Sequence, residues 1–146
     1  MASNINFFSE EIDFKLKNKA ILRNWIKQVI GQEGQSILDL NFIFCSDEYL
    51  LNINREYLEH DYYTDIITFD NREALSEPIT SDIFISIDRV QDNSVKHKTT
   101  FNQELFRVMI HGVLHLLGQG DKTEDEQTQM RKREEASLSL LSIPKE

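Results

Sequence analysis

Two hydrophobic periodicities divide the chain into strands and helices. Four short segments rich in β-branched and aromatic residues, at residues 5–8, 37–44, 64–69 and 82–87, are typical of strands. A period near 3.6 residues predicts helices over residues 17–30, 90–98, 101–117, 123–141, and from a cap at Ser46 or Asp47 to about residue 58. The pattern predicts an α+β fold in which helices flank a small sheet of three or four strands.

The helix predicted at residues 101–117 is apolar around almost its whole circumference, so we expect it in the core. It nevertheless carries His111 and His115, which are four residues apart and therefore share one helical face. Two neutral imidazoles at this spacing can chelate one metal ion, whereas a single buried histidine is more often a hydrogen-bonded structural residue. The pair is therefore a candidate metal site on a buried helix.

The segment after this helix, Gly118-Gln119-Gly120-Asp121, predicts a helix stop and a tight turn. The turn is expected to bring the Asp121 carboxylate back toward the two histidines. A divalent ion bound by His111, His115 and Asp121 keeps a fourth position open for water, which is the arrangement of catalytic zinc sites. The alternative is an ordinary turn in which Asp121 is a capping or surface residue.

Length and composition favour one domain spanning residues 1–146. The 146 residues are 40% hydrophobic and 28% charged, which excludes disordered and low-complexity classes. The single cysteine, Cys45, leaves no internal disulfide, and neither a signal-peptide pattern nor an apolar run of membrane-spanning length is found. We therefore expect a cytoplasmic protein that has no membrane partner.

The net charge of −9 counts against a nucleic-acid substrate, because the summed field repels polyanions. The first predicted helix is an exception, since Lys19, Arg23 and Lys27 recur every four residues along it. This basic stripe is either a solvated face or a docking surface for RNA or an acidic protein.

The segment from His111 to Asp121 reads HGVLHLLGQGD and resembles the signature of the YbeY-type endoribonucleases. Two further blocks, LNINREYLEHDYYTDIITFD at residues 51–70 and SDIFISIDRV at residues 81–90, are similar to that family in the same order. The resemblance implies a mixed four-stranded sheet flanked by helices and one bound divalent ion, with zinc as the first candidate. It also implies cleavage of single-stranded RNA. It also implies a role in ribosomal RNA maturation and ribosome quality control, with the small ribosomal subunit as a partner.

Two positions depart from the family pattern. Asp121 stands where most members have a histidine as third ligand, and Leu58 stands where the family has an arginine thought to serve the phosphate. Arg55, one helical turn before Leu58, and Lys122, next to Asp121, are the candidates to neutralise charge on a scissile phosphate instead. The alternative is that both are ordinary surface residues.

Two other functions remain open from the sequence. A metal-stabilised docking or ribosome-assembly factor with little catalysis would fit the missing arginine and the negative charge. A metalloprotease would need a general base, but Gly112 stands where the H-E-x-x-H proteases have glutamate. Glu104 or Asp65 would have to supply the base, and neither lies at the spacing of that motif.

The remaining histidines, His60 and His97, lie in polar surroundings and are interpreted as surface residues, although His60 falls in a family-like block. Near it lie Tyr57, Tyr62 and Tyr63, which either stack on bases or pack against the sheet. Packing is the favoured interpretation.

Overall fold

The computed structural model describes residues 4–142 of the chain. Within this range it contains the strands β1 (Ile5–Glu10), β2 (Ile37–Cys45), β3 (Ile66–Asp70) and β4 (Ile79–Ser86). The helices are α1 (Lys19–Gln32), α2 (Asp47–Leu58), α3 (Ile87–Lys96), α4 (Phe101–Leu116) and α5 (Glu124–Leu138). Each predicted element is present, with ends that differ by a few residues.

The four strands form one mixed sheet in the order β1-β2-β4-β3. β1 and β4 both run parallel to the central β2, whereas β3 pairs antiparallel with β4. The connections explain this arrangement, because helices α1 and α2 lie between the parallel strands in sequence and a short loop joins β3 to β4. The fold is therefore α+β with the mixed four-stranded sheet that the family resemblance implied.

Alternation along the strands divides the interior into two clusters. Inward residues of β4 such as Ile83 and Ile85 pack with α1 and α4 in the larger core, while Phe84 faces the opposite side. The smaller cluster lies under α2 and contains Cys45, Leu50, Ile53 and Ile67. The sheet is therefore covered on both faces, most deeply by α4.

The end of β4 differs from the prediction. Ile87 was expected in the strand and residues 90–98 in the helix, but α3 already begins at Ile87. The reason is local, because the hydroxyl of Ser86 accepts a hydrogen bond from the Arg89 amide at 3.1 Å and caps the helix. The branched side chain of Ile87 favoured a strand in the sequence, and the cap overrides it.

The basic stripe on α1 is partly structural. Arg23 Nε donates a hydrogen bond to the Ile5 carbonyl at 2.9 Å, and its guanidinium carbon lies 5.1 Å from the centre of the Phe7 ring. These contacts attach α1 to the edge strand β1. Arg23 therefore serves the fold, and the two alternatives for the stripe, a solvated face or a docking surface, now concern only the exposed Lys19 and Lys27.

Helix α4 passes very close to the sheet at Gly112. A Cβ atom built on this glycine would lie 2.9 Å from Ile66 Cδ1 and 3.2 Å from Ile83 Cδ1. The glycine thus permits an approach that a larger residue would prevent, and it lies between the two histidines of the helix.

α4 is apolar but short, and no helix within residues 4–142 has both the length and the apolar content needed to cross a bilayer.

We expect the Gly112→Ala substitution to lower the free energy of unfolding by about 1–3 kcal/mol, because the added methyl group overpacks the contact with β3 and β4. Gly31 is a matched control, since it also lies in a helix but a Cβ there meets nothing within 4 Å. Gly31→Ala should be neutral or stabilise by up to about 1 kcal/mol. Equal stability of the two variants in urea unfolding would contradict the close approach.

Candidate metal centre

The turn that ends α4 has the hydrogen bonds of a Schellman motif. The Gly118 amide donates to the His115 carbonyl at 3.0 Å, and the Gln119 amide donates to the Leu114 carbonyl at 3.0 Å. Gly118 has a φ angle of 96°, a left-handed conformation that glycine adopts without a steric penalty. The chain therefore reverses at once, and residues 119–121 return along the last turn of the helix.

The reversal brings the predicted three residues together. Asp121 Oδ2 lies 3.3 Å from His111 Nε2 and 3.2 Å from His115 Nε2, and the two Nε2 atoms are 3.0 Å apart. His111, His115 and Asp121 are each partly exposed, so the group opens to solvent on one side. The expectation that the carboxylate points toward the histidines is confirmed.

The outer ring nitrogens show why this group fits a cation. His115 Nδ1 lies 2.9 Å from the Gln119 carbonyl, which can only accept, so this nitrogen carries the hydrogen. His111 Nδ1 lies 2.6 Å from Glu134 Oε2 and is held in the same tautomer. Both Nε2 lone pairs and the Asp121 carboxylate therefore converge on one point. Three acceptors so close repel one another unless a proton or a metal ion lies among them, and the group could hold a divalent metal.

The surroundings of His111 favour positive charge. Burial opposes the charged imidazolium, but the hydrogen bond to Glu134 and the nearby carboxylates of Glu134, Asp121 and Asp65 outweigh burial and raise the pKa of His111. A metal ion satisfies the same surroundings as a proton does.

Glu134 contacts His111 and was not among the residues predicted from the sequence. It lies on α5, is only 4% exposed, and also accepts a hydrogen bond from Arg107 at 3.3 Å. Arg107 in turn contacts the buried Glu104, which lies 3.4 Å from the exposed His97. A signal was present, because the acid lies on the helical face that α5 buries, together with Met130 and Ser137.

The three-residue group lies in a cleft of about 510 Å³ between α4 and the loop that leads into β3. Three carboxylates line it, those of Asp65, Asp70 and Asp121, and no lysine or arginine is found among the described residues that line it. Asp65 is partly buried, and this burial raises the pKa of its carboxyl, against the opposing influence of His111 and Arg107. The sequence named Asp65 only as a candidate base for a metalloprotease, and the fold places it in the cleft that His111 and His115 also line.

A second residue that was missing from the sequence predictions is Arg72, which binds Asp70 in the lining of the cleft. Arg72 has a side chain only 1% exposed, binds both oxygens of Asp70, and donates to the Leu116 carbonyl at 2.6 Å. It thereby fixes the loop after β3 to the end of α4, where a cation is also favoured by the helix dipole. The residue is fully engaged in this role.

The candidates for the phosphate do not line the cleft. Arg55 is half-exposed, and its Nε lies 2.5 Å from Asp61 Oδ1. Lys122 is exposed beside Asp121, and its amide donates to Glu126. Leu58 lines the cleft wall with its side chain partly exposed. His97 is a surface residue as expected, whereas His60 is exposed and lines the cleft.

Fold and site together define an α+β protein with a histidine and carboxylate group suited to a divalent ion at the end of its core helix. The sequence model of the family described as "Endoribonuclease YbeY" matches residues 4–142. The chain is 54% identical to "Endoribonuclease YbeY" of Cytophaga hutchinsonii over 93% of this chain and 94% of that one. It is 52% identical to the protein of the same description in Christiangramia forsetii, over 95% of each chain.

A solved structure has the same fold. The solution structure of TM1509 from Thermotoga maritima superposes with a TM-score of 0.63 at 22% identity, covering 93% of this chain and 90% of that one. With the match over residues 4–142 and these relatives, the chain belongs to the YbeY family of endoribonucleases.

The contact between Glu134 and His111 can be tested by titration. In metal-free protein we expect Glu134→Gln to lower the pKa of His111, because the carboxylate that stabilises the imidazolium is removed. The measurement is the pH dependence of the His111 ring resonances in an NMR spectrum. Glu104→Gln is the matched control, since Glu104 is as deeply buried and also binds Arg107 but does not contact His111. Equal changes in both variants would disprove a direct effect.

Proposed function

We propose that this protein is a metal-dependent endoribonuclease in which His111, His115 and Asp121 bind one divalent ion, with zinc as the first candidate. The observation that carries the proposal is the convergence of three lone-pair donors at the floor of an open cleft, in a chain of this family. When bound, such an ion supplies Lewis acidity toward a phosphoryl oxygen and a more acidic water. Two nitrogens and one oxygen are a ligand set that catalytic zinc sites use.

The side chains around the ion position define the rest of the chemistry. Glu134 and the Gln119 carbonyl hold the two imidazoles in the tautomer that leaves both Nε2 atoms free. Asp65 lies in the cleft wall, where burial raises the pKa of its carboxyl, and it is the carboxylate that we assign as general base toward the attacking water. This assigns to Asp65 the role of general base, for which the sequence named it only in the metalloprotease alternative.

The substrate is single-stranded RNA, and the cellular role is the maturation of ribosomal RNA and ribosome quality control in the cytoplasm. The curated relatives at 54% and 52% identity carry the endoribonuclease description, which supports this class of substrate. The small ribosomal subunit is the partner that such a role requires. That Arg55 or Lys122 neutralises charge on the phosphate stays a prediction, for which the exposed Lys122 beside Asp121 is the better placed.

A second function has support from one observation. Carboxylates line the cleft, and none of the described residues that line it is a lysine or an arginine. Such a cleft suits a ribosome-assembly or docking factor that binds RNA elsewhere. The metalloprotease alternative is weaker, because Gly112 packs against Ile66 and Ile83 where a glutamate would be needed.

Metal content and RNA cleavage test the two functions together. Protein purified without added metal should contain about one zinc ion per chain and cleave a single-stranded oligoribonucleotide. His115→Ala should lose both properties and keep the folded circular dichroism spectrum. His97→Ala is the matched control and should keep both, because His97 lies outside the cleft. Metal binding without cleavage would support the docking factor, and cleavage that persists in His115→Ala would indicate a contaminating nuclease.

Removal of the proposed base is a separate test. We expect Asp65→Asn to lower kcat by about 100-fold or more, the usual contribution of a general base, without loss of bound metal. Asp92→Asn removes an exposed carboxylate on α3 and should leave kcat unchanged. A normal kcat in Asp65→Asn would exclude Asp65 as the base.

A further inference from the structure

Two exposed aromatic rings stand at the mouth of the cleft. His60 and Tyr62 stack on each other with ring centres 5.1 Å apart and planes inclined by 20°. The Tyr62 hydroxyl lies 2.9 Å from His60 Nδ1, so a hydrogen bond joins the pair. Tyr62 is 56% exposed and His60 is also exposed. The pair does not pack against the sheet, which corrects the interpretation that the sequence favoured for Tyr62.

The pair is held in place from beneath by one buried residue. Asn54, 2% exposed, donates its side-chain amide to the Tyr62 carbonyl at 2.9 Å, and its main-chain carbonyl accepts the His60 amide at 3.1 Å. Between the two rings in sequence, Asp61 is paired with Arg55 of α2. An exposed aromatic pair anchored by these contacts is a preformed surface, and ordering it on binding costs little.

The position and charge of this surface point to a ligand. His60 and Tyr62 line the same cleft as His111, His115 and Asp121, so a molecule in the cleft reaches both ends. Charge attraction is weak there, because three carboxylates line the cleft and no lysine or arginine does so within the described residues. A flat uncharged group that stacks on aromatic rings is the chemistry that this surface accepts.

We propose that His60 and Tyr62 form a stacking platform for an unpaired nucleobase next to the scissile phosphate. The inference deepens the proposed function and rests on it for the identity of the substrate. Nucleobases present their faces to aromatic side chains only when they are unstacked and unpaired. The platform would thus supply binding of RNA that the acidic cleft cannot obtain from lysine or arginine.

Equilibrium binding tests the platform directly. The probe is a single-stranded, fully 2′-O-methylated oligoribonucleotide with one 2-aminopurine, and a denaturing gel after the titration checks that it is intact. In metal-loaded wild-type protein, stacking should quench the 2-aminopurine fluorescence. Tyr62→Leu should weaken binding by about 5- to 100-fold, the range that loss of a base–aromatic stack produces, and should abolish the quenching. Tyr62→Phe keeps the ring and should bind within about threefold of wild type.

Tyr57→Leu is the matched control. Tyr57 is 67% exposed, but it contacts Phe69 and lines a different depression on the α2 side of the sheet. It should bind the probe as wild type does. Equal losses in Tyr57→Leu and Tyr62→Leu, or no loss in Tyr62→Leu, would overturn the platform.

Cleavage kinetics separate this inference from the proposed function. If both hold, Tyr62→Leu raises KM for a short single-stranded RNA while metal content stays normal. Wild-type quenching of the probe without any RNA cleavage would support the platform and refute the nuclease. Cleavage with the same KM in wild type and Tyr62→Leu would support the nuclease and refute the platform.

Discussion

The approach of α4 to the sheet at Gly112 is the contact on which the site depends. Because the Ile66 and Ile83 side chains lie directly against this glycine, the helix is fixed in rotation as well as in depth. His111 and His115 are then placed at the rim of the sheet, where α4 emerges from the core into the cleft. Because closely packed protein interiors resist deformation, the packing beneath the two imidazole rings fixes their positions.

The second constraint is electrostatic. Acidic groups surround the imidazoles on several sides, with Glu134 behind His111, Asp121 in front and Asp65 in the cleft wall. Arg107 donates to Glu134 and Arg72 donates to the Leu116 carbonyl at the end of α4, and both are already paired with other acidic side chains, Glu104 and Asp70. A cation at the centre relieves this repulsion, which links the folded state to metal binding. In a protein with a net charge of −9, the same ion and the nearby aromatic rings would have to hold an anionic substrate.

The network behind the site joins elements that are distant in sequence. Glu134 of α5 and His111 of α4 are 23 residues apart, and Trp25 of α1 donates its indole hydrogen to the Ser137 carbonyl of α5 at 2.7 Å. α5 is therefore fixed from both sides, and this fixes the carboxylate that orients the His111 imidazole. Such outer contacts decide how well a ligand is held, since an imidazole free to rotate loses affinity for its ion.

The amino-acid sequence by itself determined the local features: the order of strands and helices, the two histidines on one helical face, and the glycine turn that returns Asp121. Each depends on residues within about one or two turns of one another, whose spacing fixes their geometry. The tertiary structure alone decided that Asp65, Glu134 and the His60–Tyr62 pair meet this site, and that Arg55 does not. No periodicity along the chain encodes which distant faces will pack together, because that choice is made by the burial of the whole apolar surface at once.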